Sequence, residues 1–179
     1  MPDLPHRIAV LCYLFDDRGR LLMLHRRKPP NRDLYSPIGG KVETHLGESP
    51  TSCAIREIHE EAGLRLPVER LRLSGIVSEA GFEDAGHWLM FLYEVIGPVA
   101  VDAVEFDEGR LEWCETDRIT ELPQPATDRE VIWPLFWHHR GGFFAAHIDC
   151  TGPAMKWRLE QPPGEAHHWC TAAETPPAP

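Results

Sequence analysis

The run SPTSCAIREIHEEAGL constrains this chain more than any other stretch. Ser49 before Pro50 marks a helix start, because serine caps free amides and proline at the first helical position gives up no needed donor; Gly63 supplies the stop. The expected helix runs from Pro50 to Ala62. At 100° per residue, Glu57, Glu60 and Glu61 gather on one face, and Ile55, Ile58 and Ala62 gather on roughly the opposite one. One face can seal onto a sheet while the other displays acids. Like charges three and four residues apart cost an isolated helix roughly 0.2–0.5 kcal/mol per pair, and more where water is partly excluded. A hard divalent cation with oxygen ligands is the natural compensation. The plainer reading is a solvated acidic face with Arg56 paired to Glu60.

Composition narrows what such a face can serve. With 179 residues, 42% hydrophobic and 26% charged, the chain suits one globular domain with a proper core. It has no apolar run of about 18 residues, and MPDLPHRIAV lacks the basic start and apolar centre of a signal peptide, so a cytoplasmic protein without a membrane span is expected. The five cysteines (Cys12, Cys53, Cys114, Cys150, Cys170) are scattered with no CxxC pair, which suggests reduced thiols and neither a disulfide framework nor a zinc knuckle. A net charge of -10 argues against duplex nucleic acid as a partner, since that binding runs on lysine and arginine. A polyanionic ligand would need a local cation as a bridge.

Along the chain, RIAVLCYLF (7–15), the turn DDRG and the run RLLMLHRR read as an antiparallel hairpin. Lys28 to Ser36 reads as a loop, and KVE after the double glycine as a short strand. Further strands are expected at RLRLSGIVSEA, HWLMFLYEVI and RLEWCE, the second apolar enough to be central. ATDREVIWPLFWHHR begins like a helix that Pro134 must end or kink unless it lies near the first turn. From Thr151 the sequence turns Pro- and Ala-rich, so 1–150 is assigned to the domain and 151–179 to a C-terminal extension, with Trp157 and Trp169 as residues able to dock. The pairs His138–His139 and His167–His168 are adjacent residues whose side chains diverge, and neither makes a metal site by itself.

REIHEEAGL, with Glu48 seven residues before Arg56 and GGKVE further back, resembles the Nudix box: G, five residues, E, seven residues, then RE, an aliphatic, any residue, EE, any residue, G and an aliphatic. Arg56, Glu57, Ile58, Glu60, Glu61, Gly63 and Leu64 all agree. The departure is that seven residues, not five, separate Gly40 from Glu48, with THL (44–46) where one residue normally stands. The insertion precedes the helix cap, so it should bulge outward and affect the pocket more than the carboxylates.

The resemblance implies a Nudix-type α/β/α sandwich around a mixed β-sheet, and hydrolysis of a nucleoside diphosphate linked to another group with Mg2+ or Mn2+. It also implies metal ligands at Glu57, Glu60, Glu61 and the Gly40 carbonyl, with Arg56 orienting a carboxylate through its planar fork of donors. Glu60 or Glu57 would serve as the base. A further acid from the loop in VEFDEGRLEWCE is expected at Glu108, with Asp107, Glu105 and Glu112 as rivals.

PIGGKVE resembles MutT-type members, which convert 8-oxo-dGTP to its monophosphate and pyrophosphate; this places Lys41 among the substrate-binding candidates. Asp128 matches the position where that branch carries an Asn or Asp that reads the purine edge, although it could equally cap a helix. Arg27, or Arg26 beside it, could meet the triphosphate, while Tyr35 and Trp133 offer stacking surfaces. The alternatives are a pyrophosphatase for ADP-ribose or another nucleotide sugar, and a non-hydrolysing nucleotide sensor. Monomer and homodimer both stay open.

Overall fold

A computed structural model describes residues 6–28, 31–82, 86–102, 105–162 and 168–175. Nine strands form one mixed sheet: β1 (His6–Tyr13), β2 (Leu21–Arg26), β3 (Tyr35–Lys41), β4 (Leu71–Ala80), β5 (His87–Val95), β6 (Glu105–Phe106), β7 (Gly109–Cys114), β8 (Phe144–Asp149) and β9 (Lys156–Gln161). Their order across the sheet is β6-β7-β2-β3-β1-β5-β4-β8-β9. The β1–β5 and β4–β8 pairs are parallel and the rest antiparallel.

The period of two along β1 divides the core between the two faces. Val10 and Cys12, followed by Leu14, point to the side covered by helix α1 (Pro50–Ala62), where Cys53, Ala54, Ile58 and Ala62 meet Leu22, Leu24 and Ile38. Ala9 and Tyr13, followed by Phe15, point to the other side, where helix α2 (Trp133–His138) brings Trp133, Leu135 and Phe136 against Met23, Leu92 and Phe144. With a helix on each face of the sheet, the layers form an α/β/α sandwich. Ile58 is fully buried, so its truncation to alanine would cost roughly 2–5 kcal/mol.

Helix α1 has the bounds its sequence predicts: the Ser49 hydroxyl accepts from the Ser52 N–H at 3.1 Å, and Gly63 ends it at φ 68°. Pro134 does not break the second helix. A wide turn of the π type over Asp128–Ile132 precedes α2 and leaves Pro134 in the first turn of the new helix, where its missing N–H costs little.

Three expectations are corrected. The first two strands exist, but they meet only at a bridge between Phe15 and Leu21, because β3 lies between them. That third strand spans Tyr35–Lys41, where a loop and a later KVE strand were expected; pairing on both sides overrides the low strand propensity of Pro37, Gly39 and Gly40. Residues assigned to a C-terminal extension from Thr151 include β9, whose Trp157 and Leu159 are buried while its other side chains are polar. Among the described residues, no helix is long and apolar enough to cross a membrane.

Candidate active site

Arg56 organises the acids of α1. Its Nε and Nη2 donate to the two oxygens of Glu48 at 2.8 and 3.1 Å, and its Nη1 donates to Glu57 Oε1 at 2.6 Å and to Glu60 Oε2 at 3.1 Å. The planar guanidinium can serve three carboxylates at once because its donors point in fixed, different directions. Glu48 is held well below the usual carboxylate range, at about 2, chiefly by these bonds from Arg56. Glu48 Oε2 also accepts from the Glu43 N–H at 2.8 Å, which ties the base of the inserted loop. Thr44–Leu46 form a single exposed turn outside that tie, with Leu46 68% exposed.

Glu61 points inward from the same helix. It is buried, and Gly39 donates its N–H to Glu61 Oε2 at 3.2 Å. Burial, reinforced by the charge of Glu57, pushes its carboxyl up to about 8 against that hydrogen bond. Burial also raises Glu57, against the pull of Arg56. Close approach favours glycine at both positions of the double glycine, against backbone at Gly39 and against a side chain at Gly40. A Cβ on Gly40 would overlap the Glu57 carboxylate, and one on Gly39 would overlap the Val10 carbonyl oxygen.

This donor set fits a hard divalent cation. Every candidate ligand is an oxygen, and the bare backbone of Gly40 leaves the Glu57 carboxylate seated against it. Two carboxyls with raised pKa values stand together here, so added positive charge would favour their ionised forms. Glu57, Glu60 and Glu61 do not close around one point: Glu57 and Glu60 accept from Arg56 Nη1, whereas Glu61 accepts from the Gly39 N–H.

Of the four acids considered on the later loop, only Glu108 lines the cavity beside this cluster, and its charge acts on both Glu57 and Glu61. Asp107 is 98% exposed and pairs with Lys28 at 3.5 Å. Glu105 pairs with Arg27. Glu112 accepts from Arg110 at 2.6 Å and from the Tyr35 hydroxyl at 3.3 Å.

A cavity of about 620 Å³ runs from Gly40, Glu57 and Glu108 to Trp88 and Asp128. Its size is that of a small-molecule site. A sequence model of the NUDIX domain matches residues 5–134, which span both ends of this cavity. The chain belongs to the NUDIX domain family.

This Nudix chain is 28% identical over 122 residues to an uncharacterized Nudix hydrolase, YvcI, of Bacillus subtilis strain 168, which covers 68% of this chain and 73% of that protein. Its fold is similar to that of the MutT protein from Bacillus halodurans, with a TM-score of 0.68 and 26% identity over 88% of this chain and 99% of that one. The MutT Nudix hydrolase from Burkholderia pseudomallei is also similar, with a TM-score of 0.55 and 26% identity over 68% and 89%.

At the far end of the Nudix cavity, Asp128 sits in the wide turn before α2. Helical backbone begins ahead of it, so it is not the capping residue. Burial pushes its carboxyl up to about 7. Lys41 and Arg26 line the cavity, and the Lys41 carbonyl accepts from Arg56 Nη2 at 3.3 Å. Two candidates face elsewhere. Arg27 lies outside the cavity lining and pairs with Glu105, while Tyr35 stacks on His25 at 4.5 Å. Trp133 is a core residue whose Nε1 donates to Gln124 at 2.8 Å.

Sequence reasoning missed a row across three strands. Arg7 on β1, Trp88 on β5 and Glu79 on β4 are register partners, share the face of Ala9 and Met90, and line the cavity. The Arg7 guanidinium lies 5.3 Å from the Trp88 ring centre. The available signal was alternation: Glu79 and Trp88 fall in phase with the buried Val77 and Met90, so they face inward despite their polarity or size.

Proposed function

We propose that this protein hydrolyses a nucleoside triphosphate to its monophosphate and pyrophosphate, with an oxidised purine deoxynucleotide such as 8-oxo-dGTP as the leading substrate. Its Nudix hydrolase relatives support the reaction class. One observation carries the substrate class: a single cavity of about 620 Å³ joins the acid cluster to a buried Asp128 and the Trp88 ring, which offers acids for a metal and phosphates at one end and a polar group with a ring for a base at the other.

In this reading Glu57, Glu60, Glu61, Glu108 and the Gly40 carbonyl hold Mg2+ or Mn2+. The bound cation supplies charge neutralisation at the phosphate oxygens and acidifies the attacking water. Arg56, braced by Glu48, sets the directions of Glu57 and Glu60 and cannot lose its own charge. Water attacks phosphorus, the anhydride bond breaks, and the water's proton passes to Glu60 or Glu57. Glu60 is the more exposed of the two and is fixed on Arg56 by one bond. Lys41 meets the phosphates as a mobile point charge. Asp128, in its protonated or ionised form, pairs with the purine edge while Trp88 covers the ring.

A substrate panel tests the reading. The purified protein is incubated with 8-oxo-dGTP, dGTP, dCTP and ADP-ribose, with and without Mg2+, and the products are separated by chromatography. The expected result is Mg2+-dependent pyrophosphate release, greatest from the oxidised purine. A wide preference for ADP-ribose would overturn the substrate class, and binding without turnover would make the protein a sensor.

A further inference from the structure

We propose that His168, Cys170 and Glu174 form a second metal site, specific for zinc, that staples residues 168–175 to the edge strand β9. The three side chains offer a nitrogen, a sulfur and an oxygen, all within 4.8 Å of one another. Neither the oxygen cluster on α1 nor the hydrolysis reaction uses any of them.

The convergence has a local cause. Cys170 exchanges two backbone hydrogen bonds with Trp157 of β9, at 3.0 and 2.7 Å, so the segment enters as a short extra strand with its thiol turned inward. The Trp157 indole donates to the Thr171 carbonyl at 3.1 Å. Trp169 lies over Arg158 at 4.9 Å and edge-on to His147 at 5.6 Å. A single tight turn, Ala172–Glu174, then reverses the chain and carries Glu174 back over Cys170.

Glu174 is prepared as a ligand. Thr171 donates to it twice, from N–H at 2.8 Å and from the hydroxyl at 3.1 Å, and both bonds end on Oε2. Oε1 is therefore left for a cation by an outer shell that fixes the carboxylate's direction. An ordinary capping turn explains the Glu174 bonds, and the Cys170 thiol donates to the His168 carbonyl at 3.7 Å, but neither gives a reason for the His168 imidazole to turn to the same spot.

The donor set selects the ion. Thiolate, imidazole and carboxylate together suit zinc, whereas Mg2+ and Ca2+ take oxygen ligands. Zinc bonds of about 2.0–2.3 Å put neighbouring ligand atoms roughly 3.3–3.8 Å apart. The buried Cys170 can stay in place while the exposed His168 and Glu174 close by about an ångström. Binding forms the sulfur–metal bond and releases the thiol proton to solvent; no oxidation occurs. Water completes the fourth position.

Cobalt is the probe, because a thiolate–Co2+ bond has a near-ultraviolet charge-transfer band that oxygen ligands cannot produce. The full chain is stripped with chelator, supplied with excess Mg2+ to occupy the α1 cluster, and titrated with Co2+. The expected result is a charge-transfer band that saturates at one equivalent and is displaced by one equivalent of Zn2+. Cys170→Ser should abolish the band, and His168→Ala and Glu174→Gln should weaken Co2+ binding at least tenfold while Mg2+-dependent turnover is retained. The proposal is overturned if wild type shows no band, if the band survives Cys170→Ser, or if the His168 and Glu174 variants bind Co2+ like wild type. Those two variants keep the thiol, so they decide the matter even if Cys170→Ser folds poorly.

Discussion

Arg56 and Glu48 are joined by two nearly parallel hydrogen bonds, Nε to Oε1 at 2.8 Å and Nη2 to Oε2 at 3.1 Å. This fork leaves Nη1 to hold Glu57 and Glu60, so the first glutamate of the box positions the arginine and the arginine positions two acids of the helix. Arg56→Lys keeps the charge but not the fork. Turnover should fall roughly 10–100-fold, the usual cost of removing an outer-shell partner, with circular dichroism unchanged.

The same pair sets an acid limit on stability. Glu48 has a folded pKa of about 2 against an ordinary 4.5, so its stabilisation is complete above pH 4.5 and fades as pH falls toward 2. Denaturant titrations from pH 4.5 to pH 2 should show wild type losing stability as Glu48 is protonated. Glu48→Gln should start less stable and show a flatter slope there; an unchanged slope would mean the pair contributes nothing.

Glu60→Gln and Glu61→Gln should each remove most turnover, about a hundredfold or more, since a direct ligand is worth at least as much as its outer-shell partners. Both should melt cooperatively. Near-normal kcat in the two variants would refute the assignment of these acids.

The double glycine separates folding from chemistry. At Gly39 the obstacle to a Cβ is the Val10 backbone, so Gly39→Ala should cost roughly 1–3 kcal/mol of stability in urea denaturation. At Gly40 the obstacle is the Glu57 carboxylate, a side chain that can swing aside. Gly40→Ala should therefore fold and lose activity, the opposite signature.

Asp128 should tie substrate binding, as well as stability, to pH. Its carboxyl titrates at about 7 when folded and near 3.8 in an open chain, so the folded protein holds a proton that the unfolded one has lost. Stability should fall as pH rises from about 4 through 7, and Asp128→Asn should flatten that slope while leaving the part that the raised carboxyl of Glu61 contributes. KM for the purine substrate should change across pH 7 in wild type and stay flat in the variant. Trp88→Ala should raise KM about tenfold with little change in kcat, if the ring covers the base.

Much of the acid face was legible in the sequence because a helix converts spacing directly into direction. Ser49, Pro50 and Gly63 bound α1 by local backbone chemistry alone, and 100° per residue then groups Glu57, Glu60 and Glu61. Strand partners were not legible in the same way. β1 and β2 each read as strands, yet β3 separates them, since pairing depends on which distant edge offers a matching register. β9 escaped notice because it buries only alternate residues, Trp157 and Leu159, amid a Pro-rich composition.

The cavity divides along the same line. The sequence by itself determined the acid-bearing helix, its caps and the arginine that orders its acids, because these relations lie within one or two helical turns or a fixed loop. Tertiary structure alone decided that Glu108 and not Asp107 faces Glu57 and Glu61, that Tyr35 and Arg27 turn away, and that Arg7, Trp88 and Glu79 line the far end. It also brought Cys170 back to Trp157. Those arrangements depend on contacts between elements far apart in the chain, whose register and packing no local pattern encodes.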